Sequence, residues 1–585
     1  MNFEYSWRVK LVIGVFAIVG LAIPAQILRI QNSPEAGKIL DQSNNYNWEV
    51  RTLYPARGPI YDRNGHLLAG NEIVYEVGVD IPRVSNPHTV ALTLSVTLEL
   101  DYNDIYNTLT NPEGQLYLVA DDFVPPGKVE ELKQLQDELE NQPSDWRTTD
   151  RPSLEGLVFR AHFQRSYPEK NLGSNILGFV MHDGHGYFGV EAKYDEQLAG
   201  IPVTTLVPTD PNLAEDLPRI PDGATLILTI DRDIQAAVEG ILDRSLVEHG
   251  AEAGSIVVMD PKTGEVLAMA STPRFDPNEY WTYDEYFNNA SEYNRAISLP
   301  YEPGSVFKIL TMSGALDSGA VTPSTPFLDT GVFLIGGVPV YNWDDAAWGY
   351  QDMTGCMQHS LNVCLAWVAS QLGPQKFYSY ARAFGIGHPT GIDLAGEAGG
   401  RLKVPGDADW YPVDLGTNAF GQGVAVTPVQ MVMAASAIAN DGRMVAPHVL
   451  YGMVQNGRQY NSPPRYLGTP ISEATARTMS EMLANSLENE SSLALVPGYR
   501  LAGKTGTAQI PLPTGYYTNS ITNTSFIGWG PVDDPRFIVY VWLERPTSSI
   551  WGSEVASPVF AQVVEKLVVL MGIPPDNVRQ ALAGQ

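Results

Sequence analysis

A serine and a lysine lie three residues apart in an otherwise apolar segment, Tyr301 to Leu310, which reads YEPGSVFKIL. Side chains at this spacing project from the same face of a helix, so Ser305 and Lys308 are predicted to lie within hydrogen-bond reach. Burial disfavours the charged form of a lysine and lowers its pKa. A neutral Lys308 amine could take the proton of the Ser305 hydroxyl, which would give a serine nucleophile activated without histidine.

The residues before this serine fit the same chemistry. Pro303 and Gly304 place Ser305 in the first turn of the predicted helix, where free backbone N–H groups and the helix dipole favour a developing oxyanion. The alternative is that the spacing is accidental and that the Lys308 amine extends to water. The pair alone does not decide between the two, so the decision depends on supporting groups elsewhere in the chain.

Two short motifs later in the chain supply such groups. Ser360-Leu361-Asn362 offers a hydroxyl and an amide, and Lys504-Thr505-Gly506 offers a cation and a hydroxyl on a predicted edge strand. Each motif alone is unspecific, since Ser-x-Asn recurs at 43–45 and Lys-Thr-Gly at 262–264. The order Ser-x-x-Lys, Ser-x-Asn, Lys-Thr-Gly is the set shared by penicillin-binding proteins and serine β-lactamases. This order predicts a serine acyl-transfer site.

A competing motif overlaps the third of these. Gly498 to Thr505, GYRLAGKT, fits the phosphate-binding P-loop pattern letter for letter. A P-loop also needs a helix directly after it, and Pro511 and Pro513 exclude a helix there. The sequence has neither the G-x-S-x-G motif of α/β-hydrolases nor the H-E-x-x-H motif of zinc proteases. Nucleotide binding and these two hydrolase schemes are therefore set aside.

An apolar run from Leu11 to Leu28 predicts a membrane anchor. As a helix it would span about 27 Å, close to the hydrocarbon core of a bilayer. Arg8 and Lys10 precede it, and flanking positive residues tend to stay in the cytoplasm. We therefore predict a cytoplasmic tail at 1–10, a single-pass anchor in the cell membrane at 11–28 and an extracytoplasmic remainder. A cleaved signal peptide is the alternative.

The net charge and the positions of the histidines bear on two further classes of ligand, nucleic acids and metal ions. The chain has 66 acidic and 37 basic residues, a net charge of -29, and such a surface repels nucleic-acid backbones. His182 and His185 lie among glycines in a predicted loop. We therefore predict no nucleic-acid partner, no metal site and no cofactor.

Only two cysteines occur, Cys356 and Cys364. If one continuous helix carried both, about 12 Å of rise would separate them, which is too far for a disulfide. We therefore predict two packed, hydrophobic thiols rather than a bridge.

The chain after the anchor divides into two predicted modules. An N-terminal module at 50–218 is rich in predicted strands, with a hairpin turn at Asn64-Gly65. Its segment from Ser95 to Pro152 is polar and acidic and is predicted to be a solvated appendage rather than a core. Pro, Asp and Gly between Pro218 and Gly223 predict a linker. A C-terminal module at 245–572 has strands at both ends and helices between them, which predicts an α+β fold with an antiparallel sheet and helical layers.

These features together resemble the class B penicillin-binding proteins, which are monofunctional peptidoglycan D,D-transpeptidases. The resemblance covers nearly everything after the anchor and rests on the ordered motifs RGPIYDRNG, RSYP through GYFGVE, LTIDRDIQ, VVMDPKTGEVLAMASTPRFDPN, EPGSVFK, FGQGVAVTPVQM, AGKTGTA and SFIGWGPVDDPRF. It implies a transmembrane helix, an elongated, β-rich pedestal of dimerisation type without catalytic activity, and a C-terminal transpeptidase domain similar to serine β-lactamases.

The resemblance also implies roles for the motif residues. Ser305 would attack the penultimate D-alanine of a stem peptide, form an acyl-enzyme and pass the acyl group to an amine of a neighbouring strand. Lys308 would be the base that activates Ser305. Ser360 and Asn362 would line the cleft. Leu361 departs from many relatives, which have a small residue between this serine and asparagine.

The resemblance also implies which residues bind the carboxylate of the substrate and the oxyanion that forms during the reaction. Lys504 and Thr505 would hold its carboxylate, on a strand that continues into Gly506 and Thr507. The backbone N–H groups of Ser305 and Thr507 would form the oxyanion hole.

The resemblance implies ligands and a partner as well. Stem peptides are the implied substrates, and β-lactams, which mimic D-Ala-D-Ala, would acylate Ser305 and leave slowly. A polytopic glycosyltransferase of the SEDS family is the implied membrane partner, contacted through the anchor and pedestal. The alternative is a β-lactam-hydrolysing or β-lactam-sensing protein with the same three motifs.

Overall fold

A computed structural model of the chain describes residues 6–31, 48–141, 151–208, 220–511 and 517–583. The chain divides into two compact units. One is formed by Met1–Ala56 with Gly200–Asp222, and the other by Arg57–Ala199 with Gly223–Gln585.

The first half of the chain contains α1 and the N-terminal module. Its helices are α1 (Ser6–Gln31), α2 (Pro87–Leu98), α3 (Tyr102–Thr110), α4 (Pro126–Glu140), α5 (Ser174–Leu177), α6 (Gly189–Lys193) and α7 (Asp195–Ala199). Its strands are β1 (Trp48–Leu53), β2 (Ile60–Tyr61), β3 (Leu67–Asp80), β4 (Tyr117–Val124), β5 (Leu157–Ser166), β6 (Phe179–Val180), β7 (Gly186–Tyr187) and β8 (Val203–Pro208).

The second half contains the C-terminal module. Its helices are α8 (Arg232–His249), α9 (Tyr283–Tyr286), α10 (Arg295–Ser298), α11 (Lys308–Asp317), α12 (Met353–Gln358), α13 (Asn362–Leu372), α14 (Pro374–Ala383), α15 (Pro412–Asn418), α16 (Pro428–Ala439), α17 (Glu473–Asn489), α18 (Ala556–Leu570) and α19 (Asp576–Ala583). Single 3-10 turns occur at Ile81–Arg83, Pro277–Thr282, Ala290–Glu292 and Gly304–Phe307.

The strands of the second half are β9 (Thr225–Leu228), β10 (Ala253–Met259), β11 (Val266–Ser271), β12 (Phe327–Asp329), β13 (Val332–Ile335), β14 (Val338–Tyr341), β15 (Gly349–Gln351), β16 (Arg401–Leu402), β17 (Val424–Ala425), β18 (Met444–Val445), β19 (Leu450–Gln455), β20 (Arg458–Asn461), β21 (Tyr466–Gly468), β22 (Ala502–Pro511), β23 (Tyr517–Gly530) and β24 (Phe537–Glu544).

The smaller unit holds an apolar helix and a two-stranded sheet. Helix α1 contains the span Lys10–Arg29, which has a mean hydropathy of 2.5 and is long enough to cross a membrane. Within the described residues no other helix meets both conditions. Strands β1 and β8 pair antiparallel, from Trp48 opposite Pro208 to Leu53 opposite Val203. The predicted apolar N-terminal helix is therefore present.

The N-terminal module is built on a sheet that extends into the C-terminal module. Its strand order is β20-β19-β9-β2-β3-β4, with β5 also paired to β3. All pairs are antiparallel except β2 with β9. The hairpin predicted at Asn64-Gly65 joins β2 to β3, and Gly65 has a φ of 89° in that turn. The two modules therefore share one sheet rather than meeting only at a linker.

Three motifs of the N-terminal module meet at one buried carboxylate. Glu191 accepts hydrogen bonds from Arg57 Nε and from Arg165 Nε, each at 2.7 Å. Tyr167 Oη donates to the same carboxylate at 3.3 Å. Glu191 is fully buried. These residues come from the motifs RGPIYDRNG, RSYP and GYFGVE, which lie far apart in sequence. They form one charge-paired cluster. Burying any of its charged groups without the opposite charge beside it would be strongly unfavourable.

The prediction of a solvated appendage at Ser95–Pro152 is wrong for the part that the structure describes. Helices α2, α3 and α4 pack against β3 and β4 and enclose a small hydrophobic core. Val129 and Leu132 of α4 lie in that core, one turn apart on an otherwise charged helix. The apolar positions are few, but their spacing puts them on one face.

The C-terminal module is an antiparallel five-stranded sheet between two helical layers, as predicted. The strand order is β11-β10-β24-β23-β22. Alternate residues of β24 point to opposite faces: Ile538, Tyr540 and Trp542 join the core with α11, α13, α16 and α17, whereas Val539 and Val541 join the core with α8 and α18. Both faces of β24 are covered, which explains why its sequence is almost uniformly apolar.

Candidate active site

Ser305 lies at a close contact between a turn and the sheet edge. The 3-10 turn Gly304–Phe307 leads directly into α11, and it contacts β22. Gly304 has a φ of 61°, and a Cβ atom there would lie 2.8 Å from the Thr507 carbonyl oxygen. Gly304 N also donates to Gly421 O at 3.0 Å. Only glycine fits at this position, and the close approach puts Ser305 beside the Lys-Thr-Gly strand.

Lys308, the first residue of α11, is fully buried and binds the second motif. Its Nζ donates to Ser360 O at 2.6 Å, to Asn362 Oδ1 at 2.8 Å and to Ser360 Oγ at 3.2 Å. Burial, and then the positive charge of Lys504, hold the pKa of Lys308 well below its usual value. The structure thus brings the first two motifs together around an amine whose charged form is disfavoured by burial.

The hydrogen bond expected from the spacing of Ser305 and Lys308 is not formed in this structure. Among the hydrogen bonds of the described residues, the Lys308 amine bonds only to Ser360 and Asn362. Ser360 O, Ser360 Oγ and Asn362 Oδ1 all lie on one side of the amine and draw it toward the Ser-x-Asn motif. Ser305 itself is partly exposed, so its hydroxyl is open to a substrate.

The Ser-x-Asn motif lies where one helix ends and another begins. Ser360 has a φ of 54°, a left-handed conformation that few residues other than glycine adopt. This residue separates α12 from α13, and Leu361 beside it is buried in the core. Asn362 Nδ2 also donates to Tyr341 O at 3.3 Å. The break in the helix points the Ser360 and Asn362 side chains at the same amine.

The prediction of two free thiols is wrong. Cys356 and Cys364 form a disulfide, with their Cα atoms 6.0 Å apart. The prediction assumed one continuous helix, and the left-handed Ser360 between the cysteines folds the chain back instead. The bridge therefore encloses the Ser-x-Asn turn and ties α12 to α13.

The Lys-Thr-Gly motif lies on β22, the edge strand of the sheet, as predicted. Lys504 Nζ donates to Thr505 Oγ1 at 3.2 Å, and Lys504 is buried. Burial lowers the pKa of Lys504 to about 8, while the Glu490 carboxylate acts in the opposite direction. A Cβ atom on Gly506 would lie 2.2 Å from Ser525 Oγ, so glycine is needed there. The second edge of β22 pairs with no strand among the described residues, which leaves backbone groups for an extended peptide.

Thr507 continues the same strand, and its hydroxyl accepts a hydrogen bond from Gly552 N at 3.0 Å. That bond fixes the loop after β24 against the motif. Trp551 of this loop meets Trp343 edge to face, with ring centroids 5.1 Å apart. Trp343 Nε1 in turn donates to His359 O at 3.2 Å. The two tryptophans connect the Lys-Thr-Gly side to the Ser-x-Asn side.

Sequence reasoning gave no role to Tyr341, Trp343, Glu490 and Trp551. No spacing rule could have found them, because they come from three separate parts of the chain, around 341–343, 490 and 551, and meet the motifs only through tertiary packing. Gly421, whose carbonyl accepts the bond from Gly304 N, lies within the motif FGQGVAVTPVQM. The resemblance of that motif to the family was the one sequence signal that pointed to it.

The nucleotide-binding alternative fails on the structure. Residues that match the P-loop letters run into the extended strand β22, and no helix follows Thr505 within it. The described residues also contain no group of three or more His, Cys, Asp or Glu side chains arranged to hold a metal ion.

Comparisons with known proteins agree with this geometry. Residues 254–565 match the family described as penicillin binding protein transpeptidase domain. Residues 52–212 match the family described as penicillin-binding protein dimerisation domain.

Individual relatives span most of the chain. Stage V sporulation protein D of Bacillus subtilis is 33% identical over 543 residues, which cover 89% of this chain and 79% of that protein. The probable peptidoglycan D,D-transpeptidase PenA of Neisseria meningitidis is 29% identical over 98% of this chain and 95% of its own. A crystal structure of penicillin-binding protein 3 from Mycobacterium tuberculosis, complexed with aztreonam, is 27% identical, covers 90% of this chain and 98% of its own, and superposes with a TM-score of 0.68.

The matched domains, the relatives and the three motifs assembled around Lys308 lead to one conclusion. The chain belongs to the penicillin-binding protein transpeptidase family, as a class B member that combines a dimerisation domain with a transpeptidase domain.

Proposed function

We propose that this protein is a peptidoglycan D,D-transpeptidase and that Ser305 is its nucleophile. The observation that carries the proposal is the buried Lys308 amine, which joins Ser360 and Asn362 beside the turn that holds Ser305. A neutral amine in this position serves as a base without histidine. The names of relatives, such as the probable D,D-transpeptidase of Neisseria meningitidis, support the same reaction class.

In the proposed reaction Ser305 Oγ attacks the carbonyl of the penultimate D-alanine, and Lys308 accepts its proton. The bond to the terminal D-alanine breaks, and that residue leaves as a free amine after it takes up a proton. That proton is the one that Lys308 accepted. The amine of a neighbouring strand then attacks the acyl-enzyme, its own proton passes by way of Lys308 to Ser305 Oγ, a new amide forms and Ser305 is released. The atoms balance without any cofactor or metal ion.

The remaining motif residues have proposed roles in binding. Lys504 and Thr505 hold the terminal carboxylate, since a buried cation beside a hydroxyl suits an anionic group. The backbone N–H groups of Ser305 and Thr507 stabilise the oxyanion. Gly506 allows the strand to lie close to Ser525. The substrate would extend along the free edge of β22 as an added strand.

β-Lactams are proposed covalent inhibitors of this protein. Their strained amide resembles the D-Ala-D-Ala bond, and opening the ring would leave the acyl group on Ser305. The Mycobacterium tuberculosis relative has been crystallised with aztreonam and with ampicillin. A β-lactam-hydrolysing protein would acquire the same adduct and lose it quickly, so the lifetime of the adduct separates the two functions.

The domain boundaries and the membrane topology belong to the same proposal. We place a cytoplasmic tail at 1–10, an anchor at 11–28, the pedestal at 50–218 and the transpeptidase domain at 245–572. The Cys356–Cys364 disulfide supports an extracytoplasmic location, because such bridges persist in oxidising compartments. Protease digestion of intact spheroplasts tests it: the pedestal and transpeptidase domain should be degraded, and protection of both would reverse the topology.

We also propose that a SEDS-family glycosyltransferase is the membrane partner, contacted through the anchor and pedestal. The support is the family membership together with the apolar helix α1. Co-purification of the full chain with that partner, and loss of the partner when 1–28 are removed, is the expected result.

Release of D-alanine tests the proposed reaction. A stem-peptide donor that ends in D-Ala-D-Ala, incubated with an amine acceptor, should yield free D-alanine and a cross-linked product. Ser305→Ala should yield neither. Equal release by the variant would remove Ser305 from the nucleophile's role.

A further inference from the structure

Lys504 is a buried cation with little compensation. Its Nζ bonds only to the hydroxyl and carbonyl oxygens of Thr505 among the described residues, at 3.2 and 3.5 Å. No carboxylate of the described residues lies within ion-pair distance of it. Burying a charge without a partner is unfavourable, so such a group tends to lose its proton. Because a carboxylate-binding lysine must keep its charge, a more distant acidic group has to support it.

Glu490 is in the right place to do this. It follows α17 directly, and α17 contacts both β22 and α12. Its Oε1 lies 3.4 Å from Nδ1 of His359, the residue before Ser360. The neighbouring Asn489 Nδ2 donates to Gln358 Oε1 at 3.4 Å. Two consecutive residues at the end of α17 thus contact two consecutive residues at the end of α12.

His359 is held at its ring and at its main-chain carbonyl. Its ring stacks on the ring of Trp348, with centroids 4.4 Å apart, and its carbonyl accepts the bond from Trp343. The Glu490 carboxylate, 3.4 Å from Nδ1 of the same ring, completes this arrangement, so a displacement of Glu490 would act on the residue adjacent to Ser360.

We infer that Glu490 is a positioning residue, which braces the Ser-x-Asn turn through His359 and places a negative charge on the side of the site where α17 contacts the Lys504 strand. The inference rests on the proposed function of Lys504 in carboxylate binding. Glu490 would not touch the substrate. It would act through Lys504 and His359.

The charged groups around the site form an ordered series. The charge of Lys504 interacts with those of Glu490 and Lys308, and Glu490 in addition lies 3.4 Å from the His359 ring. The Glu490 carboxylate raises the pKa of Lys504 against the effect of burial, and the charge on Lys504 lowers the pKa of Lys308. Glu490 therefore favours a charged Lys504 and, through it, a neutral Lys308. These are the two protonation states that the proposed reaction needs.

The test is the pH dependence of acylation in Glu490→Gln, measured with a fluorescent penicillin between about pH 6 and about pH 10. Without the counter-charge, Lys504 should lose its proton at lower pH. The decline of acylation at high pH, the alkaline limb of the profile, should therefore begin about 0.5 pH unit lower. At a given pH within that limb, penicillin binding should be about threefold weaker. The saturation constant should rise, whereas the maximal acylation rate at the optimum should change little. Glu490→Asp, which keeps the charge, should restore much of the limb.

Glu488→Gln is the matched control. Glu488 lies on the same helix end, is also half exposed and pairs with Arg500 at 3.0 Å instead of facing the site. Its pH profile should equal that of the native protein. Melting temperatures of all variants verify that each is folded.

Two outcomes would overturn the inference. An unchanged alkaline limb in Glu490→Gln would show that Lys504 does not depend on this carboxylate. Equal slowing at every pH would show a packing role without an effect of charge. These two outcomes can be distinguished from a failure of the proposed function. In that case Ser305→Ala would be labelled normally by penicillin, whether residue 490 is glutamate or glutamine.

Discussion

Lys308 donates its shortest hydrogen bond to the main-chain carbonyl of Ser360, 2.6 Å away, although 52 residues separate the two in sequence. The carbonyl is available because Ser360 adopts a left-handed φ of 54°, which ends one helix and turns the chain before the next. The Lys308 amine is thus held by a main-chain carbonyl as well as by the Asn362 side chain.

Replacing Lys308 by arginine should abolish acylation. A guanidinium remains charged at any accessible pH, so Lys308→Arg cannot give a neutral base, and the rate should fall by about 100-fold or more. Fluorescent penicillin labelling measures this, with Lys262→Arg as the control, since Lys262 is exposed in an ion pair with Asp534. Normal labelling of a folded Lys308→Arg protein would mean that Lys308 is only structural.

Asn362→Asp should move the pH profile in a defined direction. The new carboxylate would lie beside the Lys308 amine, where Asn362 Oδ1 now accepts at 2.8 Å. A nearby negative charge favours the protonated lysine and raises its pKa. Acylation needs the neutral amine, so its rate should fall at neutral pH and recover as the pH rises. A profile identical to that of the native protein would argue against Lys308 as the base.

The Lys504 ammonium should set the alkaline limit of the native protein. Its pKa is lowered to about 8 by burial. In the proposed role the protonated form binds the carboxylate, so the affinity for penicillin should be highest below this pH and decline as the pH rises through it. In Lys504→Arg the cation persists, and the decline should disappear. An alkaline limb that survives in a folded Lys504→Arg protein would have to come from another group.

The Cys356–Cys364 bridge should matter for both stability and acylation. Replacing both cysteines by alanine removes the covalent enclosure of the Ser-x-Asn turn, at a cost of about 2 kcal/mol in the free energy of unfolding. Penicillin acylation should slow, because Ser360 is then less firmly held. Reductant should slow the native protein and have no effect on the variant. Equal rates with and without the bridge would show that the core around Leu361 suffices.

Glu191→Gln should destabilise the N-terminal module strongly. Arg165 would lose the carboxylate to which it now donates at 2.7 Å, and Arg57 would keep only its second partner, Asp195, 2.8 Å away. Breaking a buried ion pair typically costs about 3 to 5 kcal/mol. Thermal unfolding should show a clear fall in the melting temperature, while penicillin labelling in the cold should persist. An unchanged melting temperature would mean that the cluster tolerates a neutral amide.

Much of the candidate site could be predicted from the spacing of residues within short segments and from the order of the motifs. Ser305 and Lys308 are encoded three residues apart, and the order of the later motifs identified their function. The apolar run of β24 and the apolar face of α18 indicated a covered sheet, because alternation along a strand and spacing along a helix are local properties.

The errors came from assuming uninterrupted elements. A continuous helix through Cys356 and Cys364 rules out a bridge, and only the three-dimensional structure shows that Ser360 interrupts it. The polar segment with α4 was judged by its composition, whereas Val129 and Leu132 bury one narrow face. Glu490 lies 130 residues beyond Ser360 in numbering, and its contact with His359 has no sequence signature.

Peptide mapping of the penicillin adduct tests directly whether Ser305 is the nucleophile. The native protein, treated with penicillin, digested and examined by mass spectrometry, should carry the acyl group on the peptide that contains Ser305, and the adduct should persist for hours. Ser305→Ala should carry none. An adduct on a different residue, or labelling of Ser305→Ala equal to that of the native protein, would contradict the account.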